Sequence, residues 1–285
     1  MASRAPLLDQ LQGRMEAMTR AQRALAQYVL RNYQQVAFST ISEVARAAEV
    51  SEATVVRFAN TLGFSGYPPF QKEVRRIVRA DLKGTDRFRL TAEAAAPADD
   101  PLSAAIRTET GNISHLGESL DRAALTRAAR AIRGAREVLI VGERSTASLA
   151  QHLWFALDKL RLPVTRALSV DLDTYHRLDR MSAAGCVVVI GFPRYLRSLV
   201  TLLAAAKARG LTTIAVTDSP FSALKAEIGL FAPAESASFV AFHAAPLILL
   251  NALVDGIGRA DRTATLESLQ HFEQLAERAG FFQAP

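Results

Sequence analysis

Residues 39–67, STISEVARAAEVSEATVVRFANTLGFSGY, read as two short helices joined by a tight turn. Thr40 and Glu43 form a T-x-x-E capping box, and Ile41, Val44, Ala45 and Ala48 recur at i, i+3, i+4 and i+7, which sets one apolar stripe along about two turns. Ser51 caps a second helix, with Val50 and Val55 placed as a hydrophobic staple. On that helix Val55, Phe58, Ala59 and Leu62 make the inward stripe, while Ala53, Thr54, Arg57, Asn60 and Thr61 point the other way until Gly63 ends it.

Small, hydroxyl, amide and guanidinium groups on a short exposed helix suit a major-groove reader: Arg donates twice to guanine, Asn pairs with the edge of adenine, and small residues let the backbone approach. Helix-turn-helix geometry sets the first half of the second helix against base edges, which nominates Ser51, Glu52, Ala53, Thr54 and Arg57. A plain surface helix in a small helical domain fits the same pattern. Charge favours double-stranded DNA. Residues 1–90 hold 14 Lys and Arg against 8 Asp and Glu, and the remaining 195 residues balance at 20 against 20, so the net +6 sits in the first part. Lys72, Arg75, Arg76 and Arg79 add a basic stripe, in which Lys72 and Arg76 are the expected phosphate contacts.

With 285 residues the chain is long enough for two cores. No stretch resembles a membrane span, since the apolar run from Ala241 to Val254 is broken by His243, Pro246 and Asn251. The N-terminus lacks a long apolar region, so a cytoplasmic protein is expected. Cys186, the single cysteine, lies in Cys-Val-Val-Val-Ile and reads as a buried strand residue. The five histidines lack ligand spacing, so neither a metal nor another cofactor is expected.

In chain order, residues 1–17 form a weakly amphipathic arm, and Thr19 with Gln22 opens the first helix of the small domain. Pro68-Pro69 suits the start of the helix that carries the basic stripe. Residues 81–101 lose apolar periodicity and read as a linker between a domain at 1–80 and one at 102–285. Helices are expected at 102–119, 121–133, 146–160, 171–181 and 196–209, with strands at 137–141, 164–168, 186–190, 212–216 and 228–231. Such alternation means right-handed crossovers and a parallel sheet flanked by helices. The predicted fold class is therefore an all-α helix-turn-helix domain followed by an α/β domain. Ligands in such sheets sit beyond the strand carboxyl ends. Two loops qualify there, Gly142-Glu143-Arg144-Ser145-Thr146 and Gly191-Phe192-Pro193-Arg194-Tyr195, where free helix N–H groups, hydroxyls and arginines favour an anion.

The segment LAQYVLRNYQQVAFSTISEVARAAEVSEATVVRFANTLGFSGY resembles the helix-turn-helix of the RpiR/MurR bacterial transcriptional regulators. The stretches VLIVGERSTASLAQHLWFALDKL and VVVIGFPRYLRSLVTLLAAAKARGLTTIAVTDSPFSALKAEIGLFAP resemble their sugar isomerase (SIS) domain. The resemblance implies a dimeric or tetrameric regulator of a metabolic operon, acting on a pseudo-palindromic operator, whose SIS domain senses a small anionic metabolite such as a phosphorylated sugar. Typical members hold phosphate with G-x-G-x-S and S-x-S-G loops. Here Arg144 replaces the second Gly, Thr146 replaces the Ser, and Gly191-Phe192-Pro193-Arg194 lacks both hydroxyls, leaving Arg144, Ser145, Thr146, Arg194, Tyr195 and Ser198 as candidate effector contacts. Glu49 stands at a turn position where Gly is common. Two other functions remain open from sequence: a sugar-phosphate isomerase using Glu143, Glu235 or His243 as base, and an architectural DNA-binding protein with a vestigial SIS domain.

Overall fold

The computed structural model describes residues 6–81, 85, 100–236 and 243–282. The chain divides into two compact units that part between residues 94 and 95. Most of the expected linker, residues 82–84 and 86–99, lies outside the described residues.

The first unit contains α1 (Pro6–Arg14), α2 (Arg20–Val36), α3 (Ile41–Ala47), α4 (Glu52–Thr61) and α5 (Tyr67–Asp81). Thr19 and Thr40 each close a capping box, and the Thr40 backbone N–H holds the Glu43 carboxyl below its usual range. Residues 6–14 are helical because Leu7 and Leu11, one turn apart, are fully buried, with Leu8 nearly so. Phe58 and Phe70 are fully buried, and the Phe70 ring meets Phe58 and Phe64 edge-on at 5.7 and 5.6 Å. The Tyr67 hydroxyl and the Gln71 amide donate to the Ser39 carbonyl at 2.7 and 2.5 Å, which ties α5 to the segment leading into α3. Burial pushes the Tyr67 phenol up to about 12, so it remains a donor across the physiological range.

The second unit begins with α6 (Pro101–Ser119) and α7 (Arg122–Gly134). Strand β1 (Val138–Gly142), α8 (Ala147–Lys159), β2 (Val164–Ala167), α9 (Leu172–Arg180) and β3 (Cys186–Ile190) follow. Then come α10 (Arg197–Ala208), β4 (Thr212–Thr217), β5 (Ile228–Phe231), α11 (Ala244–Ala260) and α12 (Arg262–Arg278). All strand pairs are parallel, in the order β2-β1-β3-β4-β5. Every residue of β1 and β3 is buried, because helices cover both faces. On one face Ile140, Val188 and Ile214 pack with Ile132, Leu153, Leu249 and Leu253; on the other, Leu139, Val141, Val187 and Val189 pack with Leu178, Leu199 and Leu202. Cys186 is a fully buried strand residue whose thiol burial pushes up to about 12. Strand β1 starts at Val138 rather than Glu137 and closes on Gly142. Among the described residues, no helix is long and apolar enough to cross a membrane, and no group of three acidic, His or Cys residues is placed to hold a metal ion.

A Cβ at Gly142 would lie 2.6 Å from the Thr146 carbonyl oxygen and 3.0 Å from the Ala150 Cβ, whereas one at Gly111 in α6 would meet nothing within 4 Å. Gly142→Ala is therefore expected to destabilise by about 1 to 3 kcal/mol, and Gly111→Ala to stabilise by up to about 1 kcal/mol through helix propensity. Urea unfolding of the two variants checks both signs.

Candidate functional site

Helix α3 ends at Ala47 with Ala48 as its C-cap, after which Glu49 takes a left-handed φ of 54°. The Val50 N–H then returns to the Ala45 carbonyl at 2.9 Å, which closes the turn. Ser51 caps α4 by accepting from the Thr54 N–H at 3.2 Å. Thr54 does not point outward as the sequence pattern predicts. Its side chain is buried, its hydroxyl lies 2.9 Å from the Ser51 hydroxyl, and it accepts from the Arg57 guanidinium at 3.2 Å. Thr54 thus steadies Arg57 from behind. Glu52 accepts from the Ser42 hydroxyl at 2.5 Å, bracing α4 against α3, and Thr61 is held by Gln22 and Arg14. The exposed face of α4 is Ala53, Val56, Arg57 and Asn60, at i, i+3, i+4 and i+7. Val56, 37% exposed, escaped the sequence reading because nothing in its residue type separates it from the buried Val55 beside it.

The basic stripe on α5 is only partly free. Arg76, expected as a phosphate contact, is turned onto Glu73, with Nε 3.0 Å from both carboxylate oxygens and a terminal nitrogen 2.7 Å from one, so a buried acid one turn away holds its guanidinium. Arg75 donates to the Ala37 carbonyl at 2.5 Å and to Gln71 at 3.1 Å. Lys72 is exposed. The Arg79 side chain lies outside the described residues.

In the second unit, β1 and β3 pair so that Gly142 lies opposite Ile190, and the two loops therefore leave the sheet side by side at its carboxyl end. Gly191 is a close-approach position, since a Cβ there would lie 2.7 Å from Leu224. Arg144 and Arg194 are exposed and left-handed, at φ 54° and 70°. Neither pairs with Glu143. That carboxylate instead accepts from the Val170 N–H at 2.8 Å and from the Ser198 hydroxyl. The Tyr195 hydroxyl donates to Asp218, which also accepts from Thr217 at 3.1 Å. Thr146 is buried, and its hydroxyl lies 3.0 Å from the carbonyls of Glu143 and Ile190, stitching the first loop to the end of β3. His243 stands behind the second loop, its ring 5.7 Å from that of Phe192, and burial pushes its pKa down. Asn112 binds the backbone of Glu235 through both its amide groups, at 2.8 and 3.2 Å.

Residues 5–78 match the helix-turn-helix domain of the rpiR family, and residues 131–255 match the SIS domain. The chain belongs to the RpiR family. Its relatives include the HTH-type transcriptional regulator HexR of Pseudomonas aeruginosa, 27% identical over 218 residues that span 74% of this chain and 73% of that one. An uncharacterized HTH-type transcriptional regulator of Haemophilus influenzae is 26% identical over 222 residues, 77% of this chain and 76% of its own. In fold the chain is similar to the Vibrio vulnificus NanR protein complexed with ManNAc-6P, with a TM-score of 0.57 and 20% identity over 96% of this chain and 98% of that one. The sugar isomerase domain of the RpiR transcription factor from Sphaerobacter thermophilus gives a TM-score of 0.60 at 22% identity, over 62% of this chain and 99% of that domain.

Within this RpiR-family chain, Arg144 and Arg194 each stand where the resembled phosphate loops have glycine, and each keeps the left-handed backbone that glycine favours. Thr146, Tyr195 and Ser198 have their hydroxyls engaged within the protein, whereas Arg144, Ser145 and Arg194 face solvent. Thr146→Val is expected to cost about 1 to 3 kcal/mol by leaving buried carbonyls short of a donor; a denaturation midpoint equal to wild type would show that the Thr146 stitch is dispensable.

Proposed function

We propose that this chain is an effector-responsive transcriptional regulator: the first unit reads a pseudo-palindromic operator as part of a homodimer or homotetramer, and the second binds a small, carbohydrate-derived anion. One observation carries the DNA half. The exposed face of α4 presents Arg57 beside the apolar Val56, with Ala53 and Asn60 above and below, and Thr54 orders the guanidinium. Arg57 is matched to a guanine edge and Val56 to a thymine methyl, with Lys72 on the phosphate backbone and Ser51, Glu52 and Thr54 setting the helix rather than reading bases.

Adjacent strands deliver Arg144 and Arg194, two exposed cations on neighbouring loops, which suits a carboxylate or phosphate held by planar guanidinium forks. The sugar phosphate bound by the Vibrio NanR protein supports the ligand class. Effector binding then shifts the balance between two arrangements of the paired reading helices. Catalysis as a sugar-phosphate isomerase has less support, because the Glu143 carboxylate is engaged by two donors and the relatives are named as regulators.

Operator selection from a random duplex library supplies the site for the first test. On it, Arg57→Ala is expected to lose about 1 to 3 kcal/mol and to relax one base position; equal losses on specific and random DNA would remove Arg57 from base reading. Replacing the contacted thymine by deoxyuracil is expected to weaken wild type and leave Val56→Ala unchanged. For the effector half, a thermal shift produced by a hexose phosphate or sugar acid is expected to vanish in Arg144→Ala and Arg194→Ala, and undiminished shifts in both would remove the arginines from the site.

A further inference from the structure

Helix α10 begins without a side-chain cap, because its N-cap residue is Leu196. The side chain at its N-cap therefore offers no acceptor to the first-turn N–H groups and the partial positive charge of this 12-residue helix. In that turn the Ser198 hydroxyl is directed at Glu143, which comes from the other loop. The second oxygen of the same carboxylate takes the Val170 N–H at 2.8 Å, in the segment between β2 and α9. One carboxylate thus bridges three separate stretches of chain at the mouth of the sheet. Next to it, Tyr195 is directed at a second internal carboxylate, Asp218. Ser198 and Tyr195 thus both face acids of the protein itself.

Resting on the reading of these loops as the effector cleft, we infer that Glu143 determines its specificity: the chain's own carboxylate fills the anion position at Ser198 and the Val170 N–H, and so closes the first turn of α10 to a phosphate from outside. A phosphate at Ser198 would meet Glu143 within one hydrogen-bond length, with two like charges competing for the same donors. The anionic group of an effector is therefore confined to Arg144 and Arg194 at the rim, and a ligand reaching deeper presents hydroxyl or amine donors to Glu143. Glu143 does two things at once. It supplies the negative charge that α10 favours at its start, and it rejects the same charge on a ligand.

The test is calorimetric titration of the full-length protein with inorganic phosphate. Glu143→Ala is expected to bind phosphate at least tenfold more tightly than wild type, because Ser198 and the Val170 N–H become available. Glu143→Gln, which keeps the shape and removes the charge, is expected to move in the same direction by a smaller factor. The gain is expected to disappear in Glu143→Ala/Ser198→Ala and to persist when Arg144 and Arg194 are both alanine. No gain in Glu143→Ala overturns the inference, as does a gain that survives loss of Ser198; should the alanine variant fold poorly, an unchanged affinity in Glu143→Gln overturns it. Failure of the rim arginines to matter in the effector assay is a separate outcome, since the phosphate gain is measured in their absence as well.

Discussion

The pairing of β1 with β3 constrains everything that follows in the second unit. Both strands are buried along their whole length, they run in register from Val138 beside Cys186 to Gly142 beside Ile190, and helices cover both faces. The two loops can therefore leave the sheet only at neighbouring points. Gly142 leaves no room for a Cβ against the Thr146 carbonyl, and the Thr146 hydroxyl reaches the carbonyl of Ile190 on the next strand. Residues 143–146 are consequently set by close packing. A cleft built on such a frame is largely preorganised, and its chemistry is decided by the few side chains that project from it.

The first unit uses the same logic with aromatic rings in place of strands. Phe58 and Phe70 fix α4 against α5, while Tyr67 and Gln71 fasten α5 to the Ser39 carbonyl at the approach to α3. With α4 anchored by its inner stripe, Ala53, Val56, Arg57 and Asn60 are left as its outer face. The side chains of Ser51, Glu52 and Thr54 hold the helix in place.

Much of this was legible in the chain because the signals are local. Capping boxes at Thr19 and Thr40, the cap at Ser51 and the alternation of helices with short β-branched runs each depend on residues a few positions apart, and they located the elements to within a residue or two. The left-handed Glu49 was visible as a turn position where glycine is common. What escaped the sequence are the side-chain pairings. Glu73 stands three residues before Arg76, a spacing that allows an ion pair, but nothing local shows that this acid is buried, and no pattern links Glu143 to Ser198, 55 residues away. Helix α11 was missed for a related reason. Once a helix such as α11 is apolar over most of its surface, the contrast between faces that marks an amphipathic helix is lost.

The left-handed arginines bear on how such a cleft changes over generations. Glycine and arginine codons differ by a single base, and at residues 144 and 194 the backbone already has the shape that glycine would give it. Exchanging one for the other leaves the path of the loop intact and costs about 1 to 2 kcal/mol of backbone strain for each arginine. The side chains at this end of the sheet can thus be exchanged by point mutation at two positions, without disturbing the strands beneath.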